Sequence, residues 1–388
     1  MLVDKKVLEF ASERQKEIIE AYWANGNSSE KAGEALGISG SNVRRGIKRA
    51  KKNASKAGYA PEANMENQVA TGFATKRVST LYDEDGNKKI QWVISEREKE
   101  TLAEALEDFK EGLKDDISGL HKPIQPPGQR NEELMACYVI GDFHYSMLAW
   151  KPETGVEDWD TDIADGILNN AFDKLCARAT DAHYGMLLNV GDFLHADNSK
   201  SETGHGTSVD TDGRIGRTAR KVGKLFKSII SKMLEVHQEV IIINARGNHD
   251  PDASLWMNEM LHMYYADDPR VTVKDNFNKF VWHTWGNNLI VTHHGDRLKA
   301  QRAYEAITMN LAEQWGQTKH RFLWMGHIHH KQAHEIGGML CESFNVLAPP
   351  DAWHAGSGYG SSRSMTCILL NKEHGVDCRF MANIDELR

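Results

Sequence analysis

Five short apolar runs between residues 135 and 325 each end in a cluster of histidine, aspartate or asparagine residues. The runs lie at 135–140, 186–190, 240–245, 288–292 and 322–325. A short apolar run bounded by glycine or polar residues is typical of a buried strand. Helical periodicity marks the stretches between them, at 160–179, 218–236, 253–264 and 299–315. Strands that alternate with helices predict an α/β domain.

The clusters that follow these runs carry the polar side chains of interest. They are Gly141-Asp142-Phe143-His144, Gly191-Asp192 with His195, Gly247-Asn248-His249-Asp250, His293-His294-Gly295-Asp296 and Gly326-His327-Ile328-His329. Ligands of open α/β sheets bind at the edge where the strands emerge. One histidine at a strand end is usually structural, but this repeated pattern predicts a shared site. Residues two apart, such as Asp142 and His144, lie on one side of an extended segment, so both are expected to reach it.

The clusters offer two carboxylates, one amide oxygen and four imidazoles as metal ligands. This mixture suits borderline divalent ions such as Mn²⁺, Zn²⁺ or Fe²⁺ rather than Ca²⁺ or Mg²⁺, which prefer oxygen. So many ligands exceed the needs of one tetrahedral ion, and we predict two ions roughly 3.5–4 Å apart. Mn²⁺ is the expected metal, with Zn²⁺ or Fe²⁺ as alternatives. Such a centre lowers the pKa of a bound water and holds a phosphoryl group for in-line attack.

In order and spacing, the clusters resemble the motifs D-x-H, G-D, G-N-H-[DE], H and G-H-x-H of the calcineurin-like metallophosphoesterase family, over about residues 135 to 350. The resemblance implies a β-sandwich of two mixed sheets flanked by helices. It implies one metal site held by Asp142, His144, Asp192 and His329. It implies a second site held by Asp192, Asn248, His293 and His327, so that Asp192 bridges the two ions. We prefer His293 to the adjacent His294 because the family ligand directly follows its strand.

The resemblance also implies roles for three residues that are not metal ligands. His249 corresponds to the family's catalytic histidine, which donates to the phosphate or protonates the leaving oxygen. Asp250 would orient His249. The G-D-x-x-H pattern ending at His195 is similar to DNA repair nucleases of the SbcD type, in which this histidine helps to position the substrate. The 59 residues after His329 leave little room for the capping domain of those nucleases, so DNA engagement is expected from the N-terminal helices.

The N-terminal 60 residues predict three short helices, the third of them basic. The first lies near 13–24, Ser28 or Ser29 caps the second, and Gly37-Ile38-Ser39 forms a turn before the third. Residues 40–61 contain no acid, whereas the segment from Arg44 to Lys56 is rich in lysine and arginine. The pattern resembles a helix-turn-helix, whose second helix enters the DNA major groove. DNA is therefore the expected partner of this segment and of the metal site, and a protein-binding trihelical module is the alternative. The combination with the sandwich is also similar to phage-encoded phosphoesterases.

Further stretches complete the predicted organisation. A β-hairpin is expected at 76–95, a charged helix near 96–114 and a proline-rich linker at 121–128. We therefore predict a helix-turn-helix domain at 1–60, a connecting part at 61–132 and the metallophosphoesterase domain at 133–388. The polar, glycine-rich stretch 196–216 is expected to be a mobile lid or a disordered insertion, and 353–360 a second rim loop.

Composition limits the classes of protein that the chain can belong to. Apolar residues make up 40% and charged residues 26%, and no apolar run approaches the roughly 18–20 residues of a membrane span. Five scattered cysteines and an N-terminus without an apolar signal core predict a cytoplasmic protein without a membrane partner. The net charge of −8 excludes a chain that is basic throughout, so an anionic partner is expected for the basic segment alone. Homo-oligomerisation is left open.

The function predicted from these features is a two-metal phosphodiesterase, namely a DNA exo- or endonuclease in repair, replication or processing. In this hypothesis metal-bound hydroxide attacks the phosphorus, and His249 assists the departing oxygen. One alternative is a phosphomonoesterase or nucleotide phosphodiesterase with a protein-binding N-terminal module. Another is a DNA-binding regulator whose phosphoesterase core is inactive, although the complete set of predicted ligands argues against it.

Overall fold

The computed structural model of the chain describes residues 3–61, 65, 73–83, 85, 88–97, 123–358 and 360–388. Contacts divide the chain into two compact units, Met1–Ala105 and Leu106–Arg388. The charged helix predicted near 96–114 lies outside the described residues except for Glu96 and Arg97, which end a strand. The first residues of the predicted linker lie outside them as well. In the part of the chain that is described, every helix is too short or too polar to cross a membrane.

In the described residues of the N-terminal unit, three α-helices follow a 3₁₀ helix at Lys5–Phe10: α1 (Glu13–Ala24), α2 (Ser29–Leu36) and α3 (Gly40–Lys56). Each α-helix begins after a serine whose hydroxyl accepts a backbone N–H of the first turn, namely Ser12, Ser28 and Ser39. Such caps satisfy N–H groups that the helix itself leaves without a partner. The apolar stripe of α3 packs onto α1 and α2, which explains why three short helices hold together.

A tight turn joins α2 to α3. Gly37 adopts a left-handed conformation with φ of 68°, as is common after a helix. A Cβ atom on Gly33 would lie 2.6 Å from the carbonyl oxygen of Ile38, so the turn folds back directly over α2. Beyond the helices, β1 (Phe73–Tyr82) and β2 (Lys88–Arg97) pair antiparallel, with Leu81 opposite Ile90. This hairpin is a little longer at each end than the sequence predicted.

The C-terminal unit alternates strands and helices, in the order that follows. It contains β3 (Asn131–Ile140), α4 (Lys151–Thr154), α5 (Thr161–Cys176), β4 (Ala182–Asn189), α6 (Ile215–Val236), β5 (Glu239–Asn244), α7 (Ala253–Tyr264), β6 (Val271–Val273), β7 (Val281–Trp285), β8 (Asn288–Thr292), α8 (Ala300–Asn310), α9 (Ala312–Gln317), β9 (His320–Met325), β10 (Gln332–Ile336), β11 (Met339–Ser343), α10 (Ala352–Gly356), β12 (Ser364–Asn371) and β13 (Gly375–Asn383).

These strands form two mixed sheets. The first has the order β13-β12-β3-β4-β5-β6, in which β3 to β6 are parallel and β12 and β13 are antiparallel to their neighbours. The second has the order β10-β11-β9-β8-β7, with β8, β9 and β11 parallel. The α/β class and the two mixed sheets flanked by helices are therefore confirmed.

Alternation of side chains along the strands explains the layers. On β3, Cys137 and Val139 face the second sheet, where they meet Ile290 and Trp324 in the core between the sheets. Tyr138 on the same strand faces α5 and α6 in a second core. Because side chains of a strand alternate between its faces, a strand buried on both sides reads as a continuous apolar run. That is why β3, β4, β5, β8 and β9 were recognisable in the sequence.

Two details depart from the sequence prediction. The helix expected at 299–315 is interrupted at Leu311, whose φ of −116° and ψ of 36° are not helical, so α8 and α9 are separate. The short strands β6, β7, β10 and β11 were not predicted one by one, because a strand of three to five residues leaves almost no periodicity to detect. All five cysteines are free thiols, as expected.

Candidate metal centre

The loops that follow β3, β4, β5, β8 and β9 converge at one edge of the two sheets. Asp142 and Asp192 are buried there, and the backbone N–H of His327 donates to both carboxylate oxygens of Asp142 at 2.8 and 3.0 Å. The backbone N–H of His249 donates to Oδ1 of Asp192 at 2.7 Å. Segments that are distant in sequence are thus joined by hydrogen bonds to the two central carboxylates.

The backbone at the centre is turned rather than extended. His144, Asp192, His327 and His329 have φ of 46°, 52°, 73° and 55°, in the left-handed region that non-glycine residues rarely adopt. Such conformations cost on the order of 1–3 kcal/mol each and cluster at functional sites. Asp142 and His144 do lie together, but the reason expected for this, the alternation of side chains along an extended segment, does not apply. Both side chains reach the site because the chain turns sharply within the motif.

Two motif glycines are required by close packing. A Cβ atom on Gly247 would lie 1.9 Å from Oδ1 of Asp192, and one on Gly326 would lie 2.6 Å from Oδ2 of Asp142. Side chains of any size at these positions would push the carboxylates out of place. The glycines thus allow the backbone of the later loops to approach Asp142 and Asp192 directly.

A first group of ligand atoms comes from Asp142, His144 and His329. The Nε2 atoms of His144 and His329 lie 3.3 Å apart, and Nε2 of His329 lies 3.6 Å from Oδ1 of Asp142. Two imidazole nitrogens that face each other beside a buried carboxylate are arranged for a shared cation. The structure thus brings together three of the four ligands that were predicted for the first ion.

A second group comes from Asp192, His294 and His327. Nε2 of His294 lies 3.0 Å from Oδ2 of Asp192 and 3.0 Å from Oδ1 of Asn248. It also lies 3.8 Å from Oδ1 of Asp142. Asp192, Asn248 and His294 are therefore brought together in the second group. His294 takes the place that was assigned to His293.

The structure places His294, and not the predicted His293, at the centre. Nδ1 of His293 accepts the backbone N–H of Gly295 at 2.9 Å, and the His293 ring packs against Phe280 with centroids 4.7 Å apart. Successive residues that leave a strand direct their side chains to opposite sides, so only one of two adjacent histidines can face the centre. Which of the two histidines faces the centre depends on how β8 packs, and the sequence does not show this packing.

Charge balance in the centre indicates a site for cations. Although burial opposes ionisation, the neighbouring Asp192 and Asp142 carboxylates raise the pKa of His294 to about 10. Burial, reinforced by the charge of His249, lowers the pKa of His195 to about 3, and burial likewise holds the pKa of His144 well below its ordinary value. The carboxylates thus attract one imidazolium, while His144 keeps the neutral imidazole that a metal requires. Donor types and charge both fit divalent ions.

His195 and His249 lie against His144. Nδ1 of His195 is 3.1 Å from Nδ1 of His144, and Nδ1 of His249 donates to the carbonyl oxygen of His195 at 2.8 Å. A ligating imidazole usually donates its second N–H to a neighbour that fixes its orientation. His195 is placed to accept that proton from His144. The backbone carbonyl of His195 fixes the tautomer of His249. Nε2 of His249 is then the nitrogen available to a substrate.

The prediction that Asp250 orients His249 is corrected. The carboxylate of Asp250 accepts the backbone N–H of Leu194 at 2.8 Å and that of Gly247 at 3.2 Å. Burial and the charge of Asp192 raise the pKa of Asp250 to about 7. Asp250 therefore ties the Gly191–His195 turn to the loop after β5, and the carbonyl of His195 is the group that orients His249. A backbone partner of this kind leaves no signature in the sequence.

An aspartate–histidine pair at the rim was missed as part of the centre. Oδ1 of Asp351 lies 2.7 Å from Nδ1 of His354, whose ring stacks on His329 with centroids 5.2 Å apart. Despite burial, hydrogen bonds from His354 lower the pKa of Asp351 to about 2. The sequence predicted a rim loop at 353–360. The D-x-x-H spacing at 351–354 was the signal that could have identified this pair and moved the start of the loop back to Asp351.

Hydrogen bonds to neighbouring loops hold the stretch 196–216 in place along its length. The Gly204 N–H donates to the Asn248 carbonyl at 3.1 Å, and the Asp212 N–H donates to the Ser146 carbonyl at 2.9 Å. Oδ1 of Asp197 accepts the N–H groups of Asp252 and Ala253 at 2.9 and 2.8 Å. The expectation of a disordered insertion is therefore wrong, and this stretch is a structured rim of the centre.

The profile of the family described as calcineurin-like phosphoesterase matches residues 135–362, more than half of the chain. No curated protein sequence matches the chain.

Solved structures with a similar arrangement include three phosphoesterases. A predicted phosphoesterase from Streptococcus pneumoniae TIGR4 is 11% identical, with 65% of this chain and 99% of that chain covered and a TM-score of 0.27. An archaeal phosphodiesterase is 13% identical, with 64% and 99% covered and a TM-score of 0.32. The phosphoesterase YfcE from E. coli is 12% identical, with 63% and 98% covered and a TM-score of 0.30. Identities this low carry no statement about the substrate.

Proposed function

This chain belongs to the calcineurin-like phosphoesterase family, and we propose that it is a two-metal phosphodiesterase that cleaves DNA. The observation that carries the proposal is that each of the buried carboxylates Asp142 and Asp192 lies with two imidazoles in a group that could hold a metal ion. A phosphodiester substrate is favoured over a protein or sugar substrate because such a centre neutralises phosphoryl oxygens. The basic helix α3 favours DNA as the source of that phosphodiester.

The chain's own residues provide for two divalent ions, with Mn²⁺ proposed. One ion would be held by Asp142, His144, Asp192 and His329. The other would be held by Asp192, Asn248, His294 and His327. When bound, such ions supply Lewis acidity and lower the pKa of a coordinated water. The buried carboxylates and the neutral His144 are matched to this role by donor type and charge.

His249 and His195 act beside the ions in this proposal. The bond from the Nδ1–H of His249 to the His195 carbonyl leaves Nε2 for the substrate, and in the imidazolium form, in which both nitrogens carry protons, Nε2 would donate to the phosphate or to the departing oxygen. The His195 ring holds His144 in its ligating tautomer. His195 is thus a positioning residue, and the resemblance of its motif to SbcD-type nucleases supports a nucleic-acid substrate.

The N-terminal unit is proposed to be a helix-turn-helix that binds DNA. On α3, Ser41, Asn42, Arg44, Arg45 and Lys48 are exposed, whereas Val43 and Ile47 are buried. Arg44 pairs with Glu30 of α2 at 2.5 Å, which leaves Arg45 and Lys48 as the exposed cations of the first turns. Exposed cations on the helix after a tight turn are placed for phosphate contacts. We also propose that the protein is located in the reducing environment of the cytoplasm.

The test is digestion of single- and double-stranded DNA by the full-length protein with Mn²⁺, with EDTA as the metal-free control. Wild type should cleave at least one form, and His249→Ala should lower kcat by roughly 10²–10⁴-fold, as expected for loss of a general acid. Metal content of the variant should stay unchanged, because His249 is not among the proposed ligands.

Two results would contradict the proposal in different ways. Efficient hydrolysis of p-nitrophenyl phosphate without any DNA cleavage would identify a phosphomonoesterase. Loss of metal from His249→Ala would show that His249 is a ligand rather than an acid, and the catalytic assignment would have to change.

A further inference from the structure

An open cleft lies on the side of the loop after β8 to which His293 points. It has a volume of about 800 Å³, within the range of small-molecule sites. Three segments form its walls: the rim stretch at His205, the loop before β7 and the loop after β8. The residues that line it are His205, Phe277, Asn278, Lys279, Phe280, His293, Asp296, Arg297 and Leu298.

The cleft is adjacent to the proposed ligands. His293 precedes the proposed ligand His294, and the two side chains point to opposite sides of the loop. The N–H of Gly204, next to His205, donates to the carbonyl of the proposed ligand Asn248 at 3.1 Å. A Cβ atom on Gly204 would lie 2.3 Å from Cγ of Pro251, so the rim stretch is pressed against the loop after β5. Two walls of the cleft are thus continuous with loops that carry proposed ligands.

Aromatic rings give the cleft its chemical character. The rings of His293 and Phe280 pack with centroids 4.7 Å apart, and Phe277 is 52% exposed. His293 is buried, so its ring supports Phe280 from the protein side rather than facing solvent. Flat, neutral rings are the surfaces on which nucleobases stack, with a preference that is largely independent of sequence.

Charged groups at the rim complete the description. Nζ of Lys279 lies 2.9 and 3.2 Å from the carboxylate oxygens of Asp296, which fixes the lysine at the edge of the cleft. Arg297 is exposed beside it, on a backbone with φ of 57°. A cation next to an aromatic surface suits a base that carries a flanking phosphate.

We propose that this cleft is a nucleobase subsite, in which Phe277 and Phe280 stack on a base of the bound nucleic acid and Arg297 meets its flanking phosphate. The inference rests on the proposed function and deepens it, because it names the nucleotide as the unit that the enzyme recognises.

The test is calorimetric titration of the full-length protein in EDTA with dTMP and, separately, with 2-deoxyribose 5-phosphate. Wild type should bind dTMP more tightly, because only dTMP carries a base. Phe280→Leu keeps apolar bulk but removes the aromatic face, and it should weaken dTMP binding by about fivefold or more, since stacking contributes roughly 1–3 kcal/mol. Trp282→Leu is the matched control, because Trp282 is a partly exposed aromatic of β7 that does not line the cleft.

A second readout uses cleavage of DNA by the Mn²⁺-loaded enzyme. Phe280→Leu should raise KM by a similar factor with little change in kcat, because the base is bound away from the reacting atoms. A merely structural defect would lower both the folded fraction and kcat.

The outcomes separate the subsite from the nuclease. Equal affinity for dTMP and 2-deoxyribose 5-phosphate, or equal dTMP binding by wild type and Phe280→Leu, would overturn the subsite even if DNA is cleaved. Base-dependent binding that Phe280→Leu loses, without any DNA cleavage, would support the subsite and refute the proposed nuclease activity.

Discussion

The metal centre and the basic helix α3 both concentrate charge, but they do so in opposite environments. Asp142 and Asp192 are 0% and 1% exposed, and each is held by backbone N–H groups and imidazoles. Arg45 and Lys48 of α3 are exposed to solvent. A buried charge is costly unless it is paired, whereas an exposed one costs little and is screened by salt. Single substitutions should therefore have large effects at the centre and small ones on α3.

The largest expected effect is a difference in metal content and activity between substitutions at the adjacent residues His293 and His294. His294→Ala removes a proposed ligand and the partner of the buried Asp192 carboxylate. It should reduce metal content and lower activity by more than the roughly 10–100-fold that follows loss of an outer-shell partner. His293→Ala should retain full metal content, because its ring points away from the centre. Metal analysis after dialysis measures both variants.

The outcome distinguishes the two adjacent positions directly. If His293→Ala loses metal and His294→Ala retains it, the structural assignment is wrong and the sequence-based one is right. Circular dichroism of both variants controls for unfolding.

The pH dependence of the metal-free protein should be the next largest effect. The Asp192 and Asp142 carboxylates raise the pKa of His294 from 6.5 to about 10. A raised histidine pKa stabilises the fold fully below about pH 6.5, and this contribution is lost as the pH rises towards 10. In EDTA, the free energy of unfolding should therefore fall over this window, by on the order of a few kcal/mol.

Urea denaturation at pH 6.5 and 10 measures this change, and His294→Asn is the control without a titrating side chain. The prediction fails if wild type and His294→Asn lose equal stability between the two pH values. Metal affinity should rise over the same window, because binding requires the neutral imidazole.

Charge removal on α3 should give the smallest effect. Arg45→Ala combined with Lys48→Ala should leave folding and metal content unchanged and weaken DNA binding. Each lost phosphate contact should lower the slope of log affinity against log salt by about 0.9. The matched control is Arg14→Ala combined with Lys16→Ala on α1, which removes the same charge from another helix.

Fluorescence anisotropy with labelled duplex DNA at several salt concentrations measures the slopes. Equal slopes for the two double variants would mean that α3 makes no special contribution to DNA binding, and the helix-turn-helix proposal would be abandoned.

Much of the fold was predictable because it depends on local pattern. The strands β3, β4, β5, β8 and β9 are buried on both faces, so their apolar runs stand out. The serine caps of α1 to α3 and the glycine at 37 are local signals of the same kind. Short edge strands such as β10 carry no comparable signal, because their exposed faces need not be apolar.

What the sequence by itself determined is the kind of chemistry at the centre: which residue types follow each strand, and hence a site for divalent metals. Tertiary structure alone decided which side chains meet there. The packing of β8 chose His294 over His293, a backbone carbonyl rather than Asp250 orients His249, and the rim stretch became a wall of the cleft. The physical reason is that ligand types are properties of residues, whereas direction and contact depend on backbone turns and on close packing between segments far apart in the chain.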